Sequence, residues 1–349
     1  MSEQISLQSP NGQILYQDSR DHFENGLLRL LALDREQFAT WLRASEQSTA
    51  SGLLARLTDG FRAIRPELAA RDGNGVVEAG PLGTPGILWH AQIAENPHFG
   101  VARSNDGAWG WLVREVAGAW AFEKTAPVYE ESYFEGDSKL AGGYGQYAAQ
   151  AGWRLEKAAR QLRDLQSVSG ITSGRVLDLG SGYGYFRAAL AAEGFEHAGI
   201  EISHHARQVA ERLYGFTTMS GTLDDYGSEL DNRFHMITLW DVIEHVADPV
   251  ALLARIAACL VPGGVVAIKT PNLDCPEAEV FGAYYHSLKR EHLVYCTPKS
   301  LEQAARLAGL RTLQVSSSSH LLSGFVGSEQ VDTWAKAGRG ADITAYFQR

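Results

Sequence analysis

The chain has 349 residues, 45% of them hydrophobic, with a formal net charge of -10 and three cysteines. Cores rarely grow past roughly 250 residues before splitting, so this length predicts about two domains with room for a sizeable core. The acidic balance, without a long basic run, excludes a general attraction to nucleic acid or anionic membrane, and Cys259, Cys275 and Cys296 lack the spacing of a disulfide framework or zinc ribbon.

The first residues, MSEQISLQSPNG, carry neither a basic start nor an apolar run, and no window approaches 18 uninterrupted apolar residues. A cytoplasmic protein is expected, with a homodimer left open. Residues 1–125 read as an α+β accessory domain for substrate recognition or oligomerisation. Ile5 to Leu7 and Gln13 to Tyr16 flank a Pro10-Asn11-Gly12 hairpin signal. Helical periodicity follows in Phe23 to Leu33, Arg35 to Ala44 and Ala50 to Ile64. Short strands are predicted at Ile87 to Gln92, Phe99 to Arg103, Ala108 to Val113 and Ala119 to Phe122, with a turn at Asn105-Asp106-Gly107. Trp109 and Trp111 share one strand face, where they serve either core packing or an aromatic ligand platform.

Residues 126–170 form a linker or lid and a leading helix from about Ala149 to Leu165. Residues 171–349 form the third region. There Val176 to Glu201 reads as strand, glycine loop, helix and strand. Val176, Leu177 and Leu179 suit a buried parallel strand, and Gly180, Gly182 and Gly184 open the turn to a ligand. The helix from Tyr185 stops near Gly194, and His197 to Ile200 leads into Glu201. Ser203 caps the next helix, which Gly215 ends; a third strand is expected at Phe216 to Met219 and a fourth at His235 to Trp240. Asp248-Pro249 starts a helix that Pro262-Gly263-Gly264 stops, and Val265 to Lys269 is strand five.

A dinucleotide-binding fold also places an acidic residue roughly 20 positions after its glycine loop, but it wants a glycine where Tyr185 stands, which disfavours pyrophosphate binding. The D-L-G-S-G-Y-G run from Asp178 to Gly184 closely resembles the first motif of class I S-adenosylmethionine-dependent methyltransferases. D-V-I-E-H-V from Asp241, T-P-N at Thr270 and E-H-L at Glu291 resemble landmarks of a subgroup related to ubiquinone-biosynthesis O-methyltransferases. The resemblance covers Tyr129 to Val315; beyond it, Ser316 to Arg349 shows no clear final antiparallel strand.

The resemblance implies an α/β, doubly wound Rossmann-like sheet that binds S-adenosylmethionine and releases S-adenosylhomocysteine. It places the cofactor against Asp178, Gly180, Gly182, Gly184 and Tyr185, with both ribose hydroxyls on Glu201. The adenine falls near Thr222, Leu223 and Asp224 (or Asp225), with Leu239 and Trp240 beside the site. Tyr133, Phe134, Tyr144 and Tyr147 resemble aromatic elements that close over the cofactor; an ordinary linker is the alternative.

An acceptor lone pair attacks the sulfonium methyl, so the protein mainly positions and desolvates. The expected acceptor is a hydroxyl on a small biosynthetic intermediate, near Tyr144, Tyr284, Tyr285, His245 and His292. His245, with Glu244 and His292, forms the expected catalytic group. His245 lies just past strand four and suits proton removal near neutrality, or else orders its loop. A metal route would use Asp241, Glu244, His245 and His292; the metal-free route is preferred. N- or C-methylation, a silent adenosyl-binding scaffold and an NAD-linked dehydrogenase are the competing readings.

Overall fold

The computed structural model describes residues 4–8, 14–19, 36, 39–41, 43, 53–64, 76–77, 80, 83, 86–90, 98–117, 119–125, 134, 150–318 and 322–349. In the N-terminal region, β1 (Gln4–Gln8) and β2 (Ile14–Ser19) pair antiparallel, as the hairpin signal predicts. The Pro10-Asn11-Gly12 turn and the helix expected at Phe23 to Leu33 lie outside the described residues. After α1 (Leu53–Ile64) come β3 (Val76–Val77), β4 (Gly86–His90), β5 (Phe99–Ser104), β6 (Gly110–Val116) and β7 (Ala119–Phe122). Each neighbouring pair is antiparallel. Asp106 holds the β5–β6 turn by accepting from Ser104 Oγ at 2.7 Å and Ala108 N–H at 3.1 Å.

The C-terminal region begins with α2 (Ala151–Ser169), β8 (Arg175–Leu179), α3 (Tyr185–Ala192), β9 (Glu196–Glu201), α4 (His204–Tyr214) and β10 (Met219–Ser220). It continues through β11 (Phe234–Trp240), α5 (Pro249–Cys259), β12 (Leu260–Pro271), α6 (Pro276–Phe281), β13 (Val294–Tyr295) and α7 (Pro298–Leu307). Last come β14 (Arg311–Ser318), α8 (Ser323–Lys336) and β15 (Asp342–Gln348). The main sheet runs β10-β9-β8-β11-β12-β15-β14, parallel from β10 to β12 and antiparallel at β15. Val176, Leu177, Ile237, Leu239, Val266 and Ile268 are buried, as strands covered on both faces must be.

Three differences from the sequence expectations bear on the main sheet. The third strand is only Met219–Ser220, because Phe216 instead stacks on Tyr214 and lies under the Arg187 guanidinium. The α5 helix stops at Cys259, before Pro262, and β12 already starts at Leu260. A final antiparallel strand does exist: β15 inserts between β12 and β14, and its Ile343, Ala345 and Phe347 are buried.

The two regions share a sheet. β13 pairs antiparallel with the first residues of β6, while β7 pairs with its last residues. Both faces of β6 are covered: Trp111 and Val113 join a core with Val294, Cys296 and Leu301, whereas Leu112 joins one with Phe281, Tyr285 and Leu293. Trp109 and Trp111 are at most 1% exposed, so they are core rather than a ligand platform. A Cβ on Gly86 would sit 2.3 Å from the Trp111 ring and 2.7 Å from the Arg103 carbonyl oxygen. Gly86→Ala is therefore expected to lower stability by about 1–3 kcal/mol, read as a lower urea midpoint. An unchanged midpoint would show that this packing is looser than the distances state.

Candidate active site

The glycine loop follows β8 because parallel strands deliver their carboxyl ends to one edge of the sheet. Gly180, Gly182 and Gly184 have φ of 64°, 52° and 85°, values that favour glycine. Gly180 and Ser181 N–H both donate to the Ile200 carbonyl, and Gly182 N–H donates to Glu201 Oε2 at 2.8 Å. Glu201 Oε1 accepts from Ser203 N–H at 2.8 Å, so this carboxylate ties the loop to the start of α4. Each of its oxygens keeps a second lone pair for a ligand hydroxyl.

Around this loop lies a cavity of about 320 Å³, in the usual range for small-molecule sites. Asp178, Gly180, Ser181, Gly182, Tyr185, Glu201, Thr222, Leu223, Trp240 and His245 border it. Gly184, Asp224 and Leu239 do not. Gly184 is the N-cap of α3 and packs toward Phe216; Leu239 is fully buried in the sheet; Asp224 faces solvent. Asp225 is turned back on its own loop, accepting from Thr222 N–H at 2.6 Å. Phe134 borders the cavity and stacks on Tyr183 at 5.1 Å, while Tyr133, Tyr144 and Tyr147 lie outside the described residues.

Three residues of the wall escape a motif search. Arg154, Lys157 and Gln161 of α2 line the wall, and their i, i+3, i+7 spacing is the only signal they carry. Ser181 Oγ, Gln161 Nε2 and Trp240 Nε1 are buried without a hydrogen-bond partner among the described residues, as expected where a polar ligand belongs.

Next to the glycine loop the chain leaves β11 through Asp241, whose φ is 59°. Asp241 is ion-paired with Lys269 at 2.9 Å and Lys157 at 3.8 Å, and Lys269 also pairs with Asp342 at 2.9 Å. Burial would raise the Asp241 pKa, but Lys269 and Lys157 outweigh it and hold the carboxyl below its ordinary range. Residues Ile243–His245 form a single 3-10 turn, so Asp241 does not share a helical face with Glu244 and His245. The four residues of the alternative metal route are thus reduced to three. Glu244, His245 and His292 each place one ligand atom within 4.8 Å of the others.

The histidines are oriented through their Nδ1 atoms. His245 Nδ1 lies 2.8 Å from the Glu291 carbonyl and His292 Nδ1 lies 2.8 Å from the Ser287 carbonyl. A carbonyl only accepts, so each Nδ1 carries the proton and each neutral ring has its lone pair on Nε2. Burial lowers both pKa values and keeps the rings neutral. Glu244 is 2% exposed; Oε2 accepts from Thr270 Oγ1 at 2.9 Å, while Oε1 has no partner among the described residues. Burial, then the Asp241 charge, pushes its pKa to about 8. Tyr284 and Tyr285, expected in an acceptor pocket, do not border the cavity: the Tyr285 hydroxyl is directed at the Asn272 and Ala341 carbonyls, and Tyr284 packs near Phe61.

Asp178 is 2% exposed and accepts from Thr238 Oγ1 at 2.7 Å. Burial raises its pKa from 3.8 to about 7. A pKa raised on folding means that the stability linked to this group is intact below about pH 4 and is lost as pH climbs through about 7. Asp178→Asn keeps an acceptor for Thr238 and removes the ionisation. In urea melts it should match the wild type near pH 4 and exceed it at pH 8, by at most about 4 kcal/mol. A wild type more stable than the variant at pH 8 would contradict this.

A family model described as Methyltransferase domain matches residues 151–315. A ubiquinone biosynthesis O-methyltransferase of Thiobacillus denitrificans is 30% identical over 165 residues, covering 44% of this chain and 71% of that protein. One of Bordetella pertussis is 32% identical over 163 residues, covering 42% of this chain and 66% of that protein. A solved SAM-dependent methyltransferase from Archaeoglobus fulgidus is 18% identical, with a TM-score of 0.45, covering 58% of this chain and 99% of that one. No helix among the described residues is long and apolar enough to cross a membrane. The chain belongs to the class I S-adenosylmethionine-dependent methyltransferases.

Proposed function

We propose that the protein transfers the methyl group of S-adenosylmethionine to a hydroxyl oxygen of a small acceptor, with His245 as the base. The observation that carries this reading is the Nδ1–H of His245 on the Glu291 carbonyl, which puts the lone pair on Nε2 of a ring that borders the cavity. The names of the relatives at about 30% identity favour oxygen as the acceptor atom. Phenolic, enolic and sugar hydroxyls fit the chemistry.

Gly180, Ser181 and Gly182 give the methionine portion close backbone approach, and the two outer lone pairs of Glu201 accept the ribose hydroxyls. Leu223 packs on the adenine, with Gly221 and Thr222 beside it. The acceptor oxygen attacks the methyl carbon as the carbon–sulfur bond breaks; its electron pair neutralises the sulfonium, and the hydroxyl proton passes to His245 Nε2. His245, Glu244 and His292 do not have equal parts in this scheme. Of the three only His245 borders the cavity, and the His292 ring packs against it with centroids 4.8 Å apart.

A second reading is favoured by one observation: the bare Glu244 Oε1 beside two imidazoles whose Nδ1–H groups are already anchored, an arrangement that fits a divalent ion. Glu244, His245 and His292 would hold such an ion, which would lower the pKa of the acceptor hydroxyl.

His245→Ala should cut turnover by about 10²–10⁴-fold and leave S-adenosylhomocysteine affinity unchanged, while the wild type keeps full activity in a chelator. The acidic limb of the rate profile should lie below pH 6.5, because burial lowers the His245 pKa and the base works only when neutral. Loss of activity in a chelator, restored by a divalent ion, would overturn the metal-free route. In that case apparent ion affinity should fall about tenfold per pH unit below pH 8, as Glu244 takes up its proton.

A further inference from the structure

The loop that carries His292 is held from two sides. On one side, Leu293 N–H donates to the Glu244 carbonyl at 2.8 Å, and the Glu291 carbonyl accepts from His245. On the other, the Leu293 carbonyl accepts from Leu112 N–H at 2.9 Å, and Val294 and Tyr295 pair with Trp111 and Gly110. Thr297 Oγ1 donates to the Ala108 carbonyl at 2.8 Å. The peptide of one residue, Leu293, thereby joins the accessory strand β6 to the turn that bears Glu244 and His245.

We infer that the accessory sheet is a positioning element of the active site: β6, through Gly110 and Leu112, braces residues 291–297 so that His245 keeps one tautomer facing the cavity. This rests on the reading of His245 as the base. The accessory region then has a role that needs neither a ligand nor a second subunit of its own. Its sheet cannot swing away as a separate body, because both faces of β6 lie in cores shared with residues 273–310. Rigid support of this kind is what fixes a catalytic ring, whose own turn is only three residues long.

Gly110 offers a place to loosen the brace far from the cofactor. A Cβ there would lie 2.5 Å from Leu273 Cδ2 and 3.2 Å from Tyr295 Cβ, so the Leu273 side chain and Tyr295 of β13 must both shift. The experiment uses full-length, ¹⁵N-histidine-labelled protein, with His245 assigned by its absence in His245→Ala. No acceptor is needed, so the readout stands even if the proposed reaction is wrong.

In the wild type, long-range nitrogen–proton correlations should show His245 as a single Nδ1–H tautomer. In Gly110→Ala the two tautomers should average, and amide exchange at Leu112 and Leu293 should accelerate by about tenfold or more. S-adenosylhomocysteine affinity should stay within about twofold, since the glycine loop shares no partner with Gly110. Adding Leu273→Ala to Gly110→Ala removes the closest clash and should restore the single tautomer. Lys299→Ala, which breaks only the exposed Asp106 pair across the same interface, should leave His245 unchanged. A locked His245 despite fast exchange at Leu112 and Leu293 would overturn the inference. So would loss of S-adenosylhomocysteine binding together with the tautomer, which would mean that the whole fold had loosened. A locked ring in the wild type together with full turnover in His245→Ala would instead sink the proposed base and leave the brace standing.

Discussion

A carboxyl group that water does not reach governs the β11 end of this site. Glu244 is held by Thr270 through one oxygen and has no partner among the described residues for the other, and the ionised Asp241 lies close enough to raise its pKa further. A buried carboxylate in that position is costly, so near neutrality the group is mostly protonated. The two histidines are neutral for the same reason, and their carbonyl-bound Nδ1–H groups fix which nitrogen holds the lone pair. A polar but uncharged cluster thus sits beside the cavity, next to the Lys157, Asp241, Lys269 and Asp342 ion-pair network, of which Lys157 and Asp241 also border the cavity.

The glycine-loop end works by different physics. There Glu201 accepts two backbone N–H groups, from Gly182 and Ser203, which tie the loop to the start of α4. Transfer needs little more from the protein than alignment and exclusion of water. His245 is the one member of the polar cluster that borders both this cavity and the loop braced by β6. The cavity and the Glu291 carbonyl that orients the ring therefore meet at one imidazole.

How much of this the sequence discloses follows the range of the interactions. The β8–α3–β9 unit is legible because its signals are local: an apolar run, glycines that must take positive φ, and an acid at a strand end. The helix caps at Ser203 and Asp248 are equally local, each a side chain accepting from the N–H three residues on. The place of Asp241 is not legible because its side chain answers to Lys269, a residue 28 positions away whose charge no local pattern reveals. The third strand was overcalled because Phe216 reads as a strand residue yet packs with Tyr214 and Arg187. The last strand was missed because β15 is defined by pairing on both edges, and the accessory sheet's hold on residues 291–297 spans more than 180 positions.

The most direct measurement is a crystal structure of the protein with S-adenosylhomocysteine. The account predicts the homocysteine on Gly180 to Gly182, the ribose hydroxyls on Glu201, the adenine by Leu223, and the sulfur facing the His245 side of the cavity. A ligand bound elsewhere, or one whose sulfur is walled off from His245, would contradict it.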